Sequence, residues 1–566
     1  MSQSQRTEFR KVWMLIKPYW VSDQKGRGWL LLVTIIALVL AQVYISVLFN
    51  SWNGAFYNTL QNKNLHEFLH QIWIFTILAI AFIITAVYQQ YFTQMLHITW
   101  RRWMTEKYQT AWLSNQAYYR LQVIYKSTDN PDQRIADDID GFTDSTLSLS
   151  MGLLSAVVTL VSFVTILWTL SGPLSFTVAG HHMTIAGYMV WVALVYSIVG
   201  TWLMHKIGRN LITLNFDQQR FEANFRFSMI RMRENAEAIA FYKGEEMEGK
   251  NLRSQFSHIW QNWWQIMKKQ KQLTWFASGY GQTAIIFPTL VAAPRYFSGA
   301  IQLGGLMQIS AAFGSVQGAL SWFINVYTQF ANWKATTNRL NSFIESIEHS
   351  NQDNANSQIV IHRQPEQLLD VKQLNLTLPN GEALLKDLMI NLNLGDRLLL
   401  TGEAGSGKTT LLRAIAGLWS FGTGNIILPK DAKVLFIPQK PYLPIQSLKE
   451  VICYPASADD YSDPDLVSSL TAVGLDWLAP RLSDTENWSQ SLSPGEQQKL
   501  AFARILLHKP DVLLLDEASA SMDEKSEADL YSMIIRELPH AIVISVGHRE
   551  SLGQWHNKDM SFPLSA

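Results

Sequence analysis

The first 350 residues contain six long apolar stretches that lack Asp, Glu, Lys and Arg. These stretches run approximately over residues 29–49, 71–96, 148–170, 183–203, 274–293 and 307–330. Each is close to the ~20 residues that an α-helix needs to cross the hydrocarbon core of a bilayer. A buried helix of a soluble protein can be this apolar once, but hardly six times in one chain. The pattern therefore predicts an all-α transmembrane domain of six helices over residues 1–350.

The composition is also typical of a protein in contact with lipid. Only 16% of the residues are charged, against about a quarter in soluble domains, and the chain carries 21 Trp. Lys+Arg and Asp+Glu both number 46, so bulk charge gives no sign of a nucleic-acid partner. The single cysteine, Cys453, excludes an intrachain disulfide and a cysteine-based metal cluster. We therefore expect an integral, multi-pass membrane protein whose partners include the lipid bilayer and no nucleic acid.

Basic residues between the stretches predict how the chain is oriented. Six lie over residues 101–134 and another six over 206–233, whereas the shorter connections carry only Lys63 and Arg295. Because Lys and Arg accumulate in cytoplasmic loops, we expect both long basic segments and both termini in the cytoplasm. These segments are rich in helix formers and should extend the membrane helices outward before the chain turns back.

The N-terminal residues Phe9, Trp13, Ile16 and Trp20 fall on one helical face. This spacing predicts a helix that lies at the membrane surface. An ordinary amphipathic helix packed on protein would show the same pattern.

Two of the predicted spans carry polar stripes at helical spacing. The residues are Gln42, Ser46, Asn50 and Asn53 in the first span and Gln317, Ser321, Asn325, Thr328 and Asn332 in the sixth. Such stripes can line a water-filled substrate pathway. They can equally join helices to one another by hydrogen bonds within lipid. Both interpretations remain open at this stage.

From residue 351 the composition changes to that of a soluble α/β domain, in which strand-like and helical runs alternate. A polar stretch over 351–358 is typical of a linker. Farther on, an apolar run over 398–400 precedes a glycine-rich loop, and helical spacing follows over 411–416. The loop and the start of this helix are Gly402, Glu403, Ala404, Gly405, Ser406, Gly407, Lys408, Thr409 and Thr410. Strand, glycine-rich loop and helix form the context that the pattern G-x-x-x-x-G-K-[ST] requires.

The chemistry of this pattern is phosphate binding. Glycines allow backbone N–H groups to turn toward phosphate oxygens, and the positive end of the helix dipole points at the same anion. Lys408 is expected to reach the β- and γ-phosphates of ATP, and the Thr409 hydroxyl is expected to hold Mg²⁺. The sequence thus predicts an ATP-binding domain of the P-loop type over residues 351–566, with ATP and Mg²⁺ as cofactors.

Two elements farther along the chain complete the expected site. Gln439, in the stretch over 436–441, can touch the metal or the attacking water. Ser493 and Gly495 begin a helical run, and a serine and a glycine at a helix start make an anion-binding end. Two phosphate-binding elements in one domain suggest a site shared between two copies of the chain.

Two carboxylates end the apolar run over 512–515. Asp516 suits Mg²⁺, together with Thr409 and Gln439, and Glu517 suits polarising a water for in-line attack on the γ-phosphate. A second buried strand is predicted over 541–546, and His548 follows it, where it can donate to the γ-phosphate. Glu517 and His548 are therefore the expected catalytic residues.

In this order, these elements resemble the nucleotide-binding domain of ABC transporters. The loop over 402–409 matches the Walker A motif, Gln439 the Q-loop and residues 492–498 the signature motif. Asp516 and Glu517 match Walker B and its catalytic glutamate, residues 520–523 the D-loop and His548 the switch histidine. The resemblance covers about the last two hundred residues and implies ATP hydrolysis coupled to transport.

The first half resembles a narrower group. Residues 130–135 and 234–242 are similar to segments of SbmA/BacA-type proteins and of the peroxisomal fatty-acyl transporters of subfamily D. This resemblance implies an exporter-type fold of six helices and a homodimer of half-transporters. Its members carry peptides, cobalamin or acyl-CoA. A bacterial inner membrane is the expected location.

Two positions depart from the family pattern. Pro494 replaces the first glycine of the L-S-G-G-Q signature, which gives the loop less freedom. Leu378 stands where the family often stacks adenine on an aromatic residue, before Pro379. The hydrolytic residues are unaffected by either change.

The combined expectation is an ATP-driven transporter of a peptide, cobalamin-like or lipid/acyl compound. ATP hydrolysis would switch the spans between inward- and outward-facing states. The alternative is a nucleotide-gated channel or membrane scaffold in which ATP binding is regulatory. The intact Glu517 and His548 disfavour it, and accumulation against a gradient in vesicles would separate the two.

Overall fold

The computed structural model describes residues 3–125, 130–178, 181–366 and 368–562. The chain divides into two compact units. The first comprises residues 1–111 and 130–344, and the second comprises 112–129 and 345–566, each as far as its residues are described.

Long helices dominate the first part of the chain. They are α1 (Gln3–Trp20), α2 (Lys25–Gln61), α3 (Leu65–Leu113), α4 (Ala117–Tyr119), α5 (Pro131–Gln133), α6 (Ile139–Ser171), α7 (Tyr188–Glu234), α8 (Ala236–Tyr242), α9 (Glu245–Phe297), α10 (Leu303–Asn325) and α11 (Tyr327–Ala355). Residues Arg120–Tyr125 and Arg134–Asp138 form wider π-helical turns. An antiparallel hairpin of β1 (Pro173–Val178) and β2 (His181–Ala186) precedes α7.

Four helical stretches in the described chain are long and apolar enough to cross a membrane. They are Lys25–Gln61, Leu65–Val123, Pro131–Ser171 and Tyr188–Glu234. The first four predicted spans lie in them, although the fourth helix begins at Tyr188 because the preceding residues form β2. The fifth and sixth predicted spans lie in α9 and α10, and their crossing of a membrane stays a prediction. The helix that carries the sixth is interrupted at Val326, between α10 and α11.

The predicted polar stripes take part in contacts between helices. Asn50 of α2 is buried, and its Nδ2 donates to the main-chain oxygen of Gln308 in α10 at 3.0 Å. Gln42 of α2 donates to the oxygen of Thr85 in α3 at 3.2 Å. Asn325, at the end of α10, is exposed. Helix–helix hydrogen bonding thus accounts for Asn50 and Gln42, whereas a substrate pathway along the sixth-span stripe stays a prediction.

The N-terminal helix α1 is anchored through one side. Tyr19 is buried and its ring stacks on Trp100 of α3, with the ring centroids 5.6 Å apart. Leu15, one turn earlier, is also buried, whereas Trp13 is half exposed. The anchored side is therefore formed by Leu15 and Tyr19, and Trp13 of the predicted apolar face points away from it.

The second unit is built around two sheets. Its strands are β3 (Gln358–Gln364), β4 (Leu368–Thr377), β5 (Ala383–Asn393), β6 (Arg397–Thr401), β7 (Gly422–Pro429), β8 (Val434–Ile437), β9 (Gln446–Ser447), β10 (Thr485–Glu486), β11 (Val512–Asp516), β12 (Ile542–Val546) and β13 (Lys558–Ser561). Its helices are α12 (Lys408–Ile415), α13 (Leu448–Cys453), α14 (Asp463–Ala472), α15 (Trp488–Ser491), α16 (Pro494–His508) and α17 (Glu524–Glu537). A parallel sheet has the order β13-β6-β12-β11-β8, and a mixed sheet has the order β3-β7-β4-β5.

The parallel sheet explains the uninterrupted apolar runs of the sequence. All five residues of β12 and the first four of β11 are buried. Strands covered on both faces need apolar side chains on both faces, so alternation is lost. One core cluster covers one side of the sheet with residues of α13, α14, α16 and α17, and a second cluster fills the space between the two sheets and α12.

The predicted linker over 351–358 is mostly helical. Helix α11 continues to Ala355, and β3 begins at Gln358. Arg120 holds this helix within the second unit, because its Nε donates to Ser350 Oγ at 2.9 Å and its Nη2 to Asn351 Oδ1 at 3.0 Å. The neighbouring Tyr119 packs against the second unit's core.

Candidate functional site

Four neighbouring strands of the parallel sheet deliver the predicted site residues to one edge. The glycine-rich loop follows β6, His548 follows β12, Glu517 follows β11 and Gln439 follows β8. Because all four strands are parallel, their carboxyl ends lie at the same edge, where α/β sheets bind ligands. The fold thus brings together elements that are up to 146 residues apart in the sequence.

The glycine-rich loop connects β6 to α12, as predicted. Gly402, Gly405 and Gly407 have φ values of 132°, 84° and 92°, a backbone region that favours glycine. At Gly407 a Cβ atom would also lie 3.0 Å from Leu384 Cγ. Glu403, Ala404 and Gly405 are exposed at the tip, Ser406 and Gly407 are buried, and Thr410 is half-buried in the first turn of α12.

Lys408 closes the loop from inside. Its Nζ donates to the main-chain oxygens of Gly402 and Glu403 at 2.8 and 2.6 Å and to Ser406 Oγ at 3.3 Å. Burial lowers the pKa of Lys408, and the carboxylates of Glu517 and Asp516 act in the opposite direction. The ammonium group therefore lies inside the loop, surrounded by oxygen atoms, where a phosphate bound by the loop could contact it.

Thr409 and Asp516 form the metal-binding candidate. Thr409 Oγ1 donates to Asp516 Oδ1 at 2.8 Å. Burial raises the pKa of Asp516, the neighbouring Glu517 raises it further, and the bond from Thr409 lowers it. Burial and a neighbouring carboxylate both disfavour the charged form of Asp516, and a bound cation would stabilise that form. These oxygens are of the type that Mg²⁺ prefers.

Glu517 is held by the two other predicted groups. Gln439 Nε2 donates to Glu517 Oε2 at 3.0 Å, and His548 Nε2 lies 3.4 Å from Glu517 Oε1. The backbone of Glu517 has φ 49°, a left-handed conformation that is costly for most residues. Its N–H donates to Val546 at the end of β12, at 3.1 Å. The strained residue is thus fixed between two strands, and its carboxylate remains partly exposed.

The predicted signature begins α16 with a capping box. Ser493 Oγ accepts from the Glu496 N–H at 3.4 Å and donates to Glu496 Oε2 at 2.7 Å, and the Ser493 N–H donates to the same carboxylate at 2.8 Å. Pro494 occupies the first helical position, which tolerates proline because the N–H there has no partner within the helix. Among the described residues, these bonds stay within α16, and none joins Ser493 to the glycine-rich loop.

Leu378, the second departure, is half-buried and packs against the core between the sheets. Its N–H donates to the oxygen of Glu382 at 2.8 Å in a tight turn. The side chain is therefore partly committed to the protein interior.

Sequence analysis missed two buried side chains that hold these loops. Gln498 of α16 and Glu527 of α17 are each 2% exposed. Glu527 Oε2 accepts from Ser519 Oγ at 2.6 Å, and its Oε1 accepts from Ser551 Oγ at 3.0 Å. Glu527 thereby joins the turn after Glu517 to the turn after His548. Glu527 carries no local pattern that would separate it from an ordinary surface Glu. Gln498 lies in the predicted signature over 492–498, but the pattern assigned it no role of its own.

Comparison with known protein families agrees with this arrangement. Residues 15–297 match the family model described as ABC transporter transmembrane region 2, and residues 385–520 match the model described as ABC transporter. The two matches fall on the apolar helices and on the domain that carries the site.

Individual proteins are similar over nearly the whole chain. The "Inner membrane ABC transporter ATP-binding protein YddA" of Escherichia coli K12 is 34% identical over 98% of this chain and 97% of its own length. The "ABC transporter D family member 2, chloroplastic" of Arabidopsis thaliana is 35% identical over 98% of this chain and 86% of its own length.

A solved structure of a bacterial Atm1-family ABC exporter with ATP bound shares the fold. It has a TM-score of 0.73 and 16% identity, and the match covers 96% of this chain and 94% of that one. At this identity the likeness concerns the fold. With both family models and the long relatives, it shows that this chain belongs to the ABC transporter family and has an Atm1-type exporter fold.

Proposed function

We propose that two copies of this ABC transporter share two ATP sites and use ATP hydrolysis to move an amphipathic cargo across a bacterial inner membrane. ATP hydrolysis coupled to transport follows from membership in the family. The proposal concerns the residues that act, the assembly, the membrane and the cargo. The observation that carries it is the meeting of Lys408, Asp516, Glu517 and His548 at one edge of the parallel sheet.

The glycine-rich loop would hold the phosphates of ATP. The main-chain N–H groups of residues 402–407 and the N-terminal end of α12 would bind the β-phosphate, and Lys408 would move its donors from loop carbonyls to phosphate oxygens. Thr410, in the first turn of α12, would help to bind the phosphates at the N-terminal end of that helix. Mg²⁺, when bound, would neutralise phosphate charge. Thr409, Asp516 and Gln439 are the residues that would hold it.

Glu517 would activate the attacking water. In the structure, one carboxylate oxygen of Glu517 accepts from Gln439 and the other lies near His548. Binding of the phosphates would draw Gln439 and His548 toward the γ-phosphate, and Glu517 would then be free to accept a proton from water. His548 would donate to the γ-phosphate as negative charge develops.

A second copy would complete each site. Ser493 and Gly495 present the start of α16, and the side-chain hydrogen bonds of Ser493 among the described residues go to Glu496 of the same helix. A helix start with an N-capping serine attracts an anion, and the γ-phosphate of a partner's ATP would supply one. We therefore propose a homodimer in which each pocket combines the loop of one copy with the signature of the other.

The cargo is proposed by chemical class. The exposed polar end of the sixth-span stripe and the many Trp side chains suit a molecule with both apolar and amide-rich surfaces, such as a peptide, a cobalamin-like compound or an acyl conjugate.

The proposed location is a bacterial inner membrane, and the inner-membrane relative from Escherichia coli supports it. The positions of the basic segments support cytoplasmic termini.

The role of Glu517 is tested by Glu517→Gln in the purified full-length protein. The amide keeps the volume and one acceptor but cannot take a proton, so we expect ATP turnover to fall at least ~100-fold while ATP binding persists. Glu537→Gln, an exposed carboxylate at the end of α17, is the matched control. Turnover equal to that of this control would remove Glu517 from the proposed role.

The cargo is tested in proteoliposomes. Peptides, cobalamin and acyl-CoA are compared as stimulators of ATP hydrolysis and as accumulated cargo in the wild-type protein and in the Glu517→Gln variant. ATP-dependent accumulation of one class in the wild type alone would assign the substrate class. Flux down a gradient that is equal in both proteins would contradict a pump.

A further inference from the structure

The side chain of Gln498 connects α16 to two loops of the proposed ATP site. It lies in the second turn of α16 and is 2% exposed. Its Nε2 donates to the main-chain oxygen of Gln439 at 3.0 Å, and its Oε1 accepts from the N–H of Ser521 at 3.0 Å. Both ends of one buried amide are therefore used, one on each of two loops that flank Glu517.

A second contact joins α16 to the same turn. Gly495, at the start of the helix, lies so close to Ser521 that a Cβ atom on it would be 3.1 Å from the Ser521 oxygen. The N–H of Ser521 is held by Gln498 and its oxygen faces Gly495. The turn after Glu517 and the start of the signature helix are thus fixed against each other at two points.

The other end of the link leads to the catalytic carboxylate. The main-chain oxygen of Gln439 is held by Gln498, and its side chain donates to Glu517 Oε2 at 3.0 Å. A movement of the Gln439 loop toward bound nucleotide must therefore pull on, or break away from, α16. In the dimer proposed above, α16 and the turn at Ser521 serve the ATP of the partner copy.

We infer that Gln498 is a positioning residue that transmits nucleotide occupancy from the Gln439 loop of one ATP site to the signature helix that completes the other site. The inference rests on the proposed function, because it requires shared sites. Gln498 is buried and acts through Gln439 and Ser521. It keeps these two loops in register with α16, so that both pockets close together.

Two substitutions separate the two ends of the link. Gln498→Glu keeps an acceptor for the Ser521 N–H but places a carboxylate against the oxygen of Gln439. Gln498→Leu removes both bonds. The control is Ser469→Ala, because Ser469 is a buried residue of α14 in the same unit, and its Oγ donates to the oxygen of Leu466 at 2.8 Å, outside the link.

ATP hydrolysis by the purified full-length protein is the readout. We expect both Gln498 variants to lower kcat about tenfold relative to the Ser469→Ala control, as replacement of one buried hydrogen bond by a repulsive or empty contact suggests. The KM for ATP should stay within about twofold, because the phosphate loop is untouched. A loss of packing alone would lower the stability of the protein, but it would not lower kcat while the KM stays the same.

Other outcomes overturn the inference in defined ways. A low kcat for Gln498→Leu with a normal kcat for Gln498→Glu would mean that only the contact with Ser521 matters for turnover. That result would contradict a link through Gln439. Values for both variants that match the control would assign Gln498 to packing. Absence of ATP hydrolysis in the wild-type protein would instead count against the proposed function.

Hydrogen–deuterium exchange of the Glu517→Gln protein tests the link without altering Gln498. ATP with Mg²⁺ should slow exchange in the peptide that contains Gln439 and in the peptide that contains Ser521, with the same ATP concentration at half-effect. Different half-effect concentrations, or a response confined to the Gln439 peptide, would overturn the inference.

Discussion

Asp138 provides the sharpest test of how the first unit is held together. Its carboxylate is only 6% exposed and accepts three hydrogen bonds from two arginines. Oδ2 accepts from Arg134 Nη1 at 2.7 Å and from Arg339 Nε at 2.9 Å, and Oδ1 accepts from Arg339 Nη2 at 2.6 Å. One buried charge therefore ties the turn before α6 to α11. We predict that Asp138→Asn strongly destabilises the protein.

The magnitude follows from this geometry. Asparagine keeps the volume and one acceptor, but loses the negative charge and the second acceptor. Breaking a buried ion pair costs about 3–5 kcal/mol, and the 41% exposure of Arg339 lets water recover part of this. We expect a net loss of about 3 kcal/mol, at the lower end of that range. In a unit of more than 300 residues, an unfolding entropy of about 2.1 cal/mol/K per residue makes this a fall of about 4–5 °C in the unfolding midpoint.

Thermal unfolding of the detergent-solubilised protein, at one scan rate because such unfolding is rarely reversible, measures the effect. The control is Glu106→Gln, which breaks the exposed pair of Arg102 and Glu106 within α3 and should leave the midpoint nearly unchanged. Arg339→Gln, alone and combined with Asp138→Asn, completes a double-mutant cycle. Equal midpoints for Asp138→Asn and Glu106→Gln, or fully additive effects in the cycle, would refute the reasoning.

Two further substitutions test the site. Pro494→Gly should lower the stability of the second unit by about 0.4–1 kcal/mol, because glycine frees the unfolded chain, and should lower the KM for ATP by restoring an N–H at the start of α16. Thermal unfolding and steady-state kinetics measure these effects. An unchanged KM would show that an N–H at position 494 does not contribute to ATP binding. Asp516→Asn should abolish ATP hydrolysis yet raise the unfolding midpoint of the nucleotide-free protein at neutral pH. Burial raises the pKa of Asp516 above its ordinary value of 3.8, so its contribution to stability is full below that value and is lost as the pH rises through the folded-state pKa. The gain should shrink on mild acidification, and a variant less stable than wild type at neutral pH would contradict the sign.

The sequence predicted those parts of the site that depend on neighbouring residues. The glycine-rich loop needs a strand before it and a helix after it, and all three lie within about twenty residues, so local patterns suffice. The apolar spans were predicted for the same reason, because the length of a membrane helix is set by the bilayer. The sequence predicted that helices extend beyond the apolar stretches, but not where those helices begin. Helix α9 begins at Glu245, well before the fifth apolar stretch, because backbone hydrogen bonds continue a helix whatever the polarity of its side chains.

Interactions between distant residues could not be read from one sequence. Arg339 and Asp138 are 201 residues apart, and nothing in the local pattern of either names the other. Gln497 and Gln498 are adjacent and both buried, yet Gln497 donates to carbonyl oxygens at the end of α15 and Gln498 joins two loops. The difference arises from the direction in which each side chain leaves α16, about 100° apart around the helix axis.

Pro494 shows how the structure changes the meaning of a sequence departure. From the sequence, proline in place of glycine reduces the freedom of the signature. In the structure, Ser493 is extended with ψ 156° and Pro494 follows at the first helical position, where its fixed φ suits the helix and its missing N–H leaves no partner within the helix unmet. The cost is therefore chemical and not conformational, because one donor is absent from the anion-binding end of α16. In the proposed dimer that loss falls on the ATP held by the partner copy, so a weakened signature and an intact Walker loop can reside in the same polypeptide.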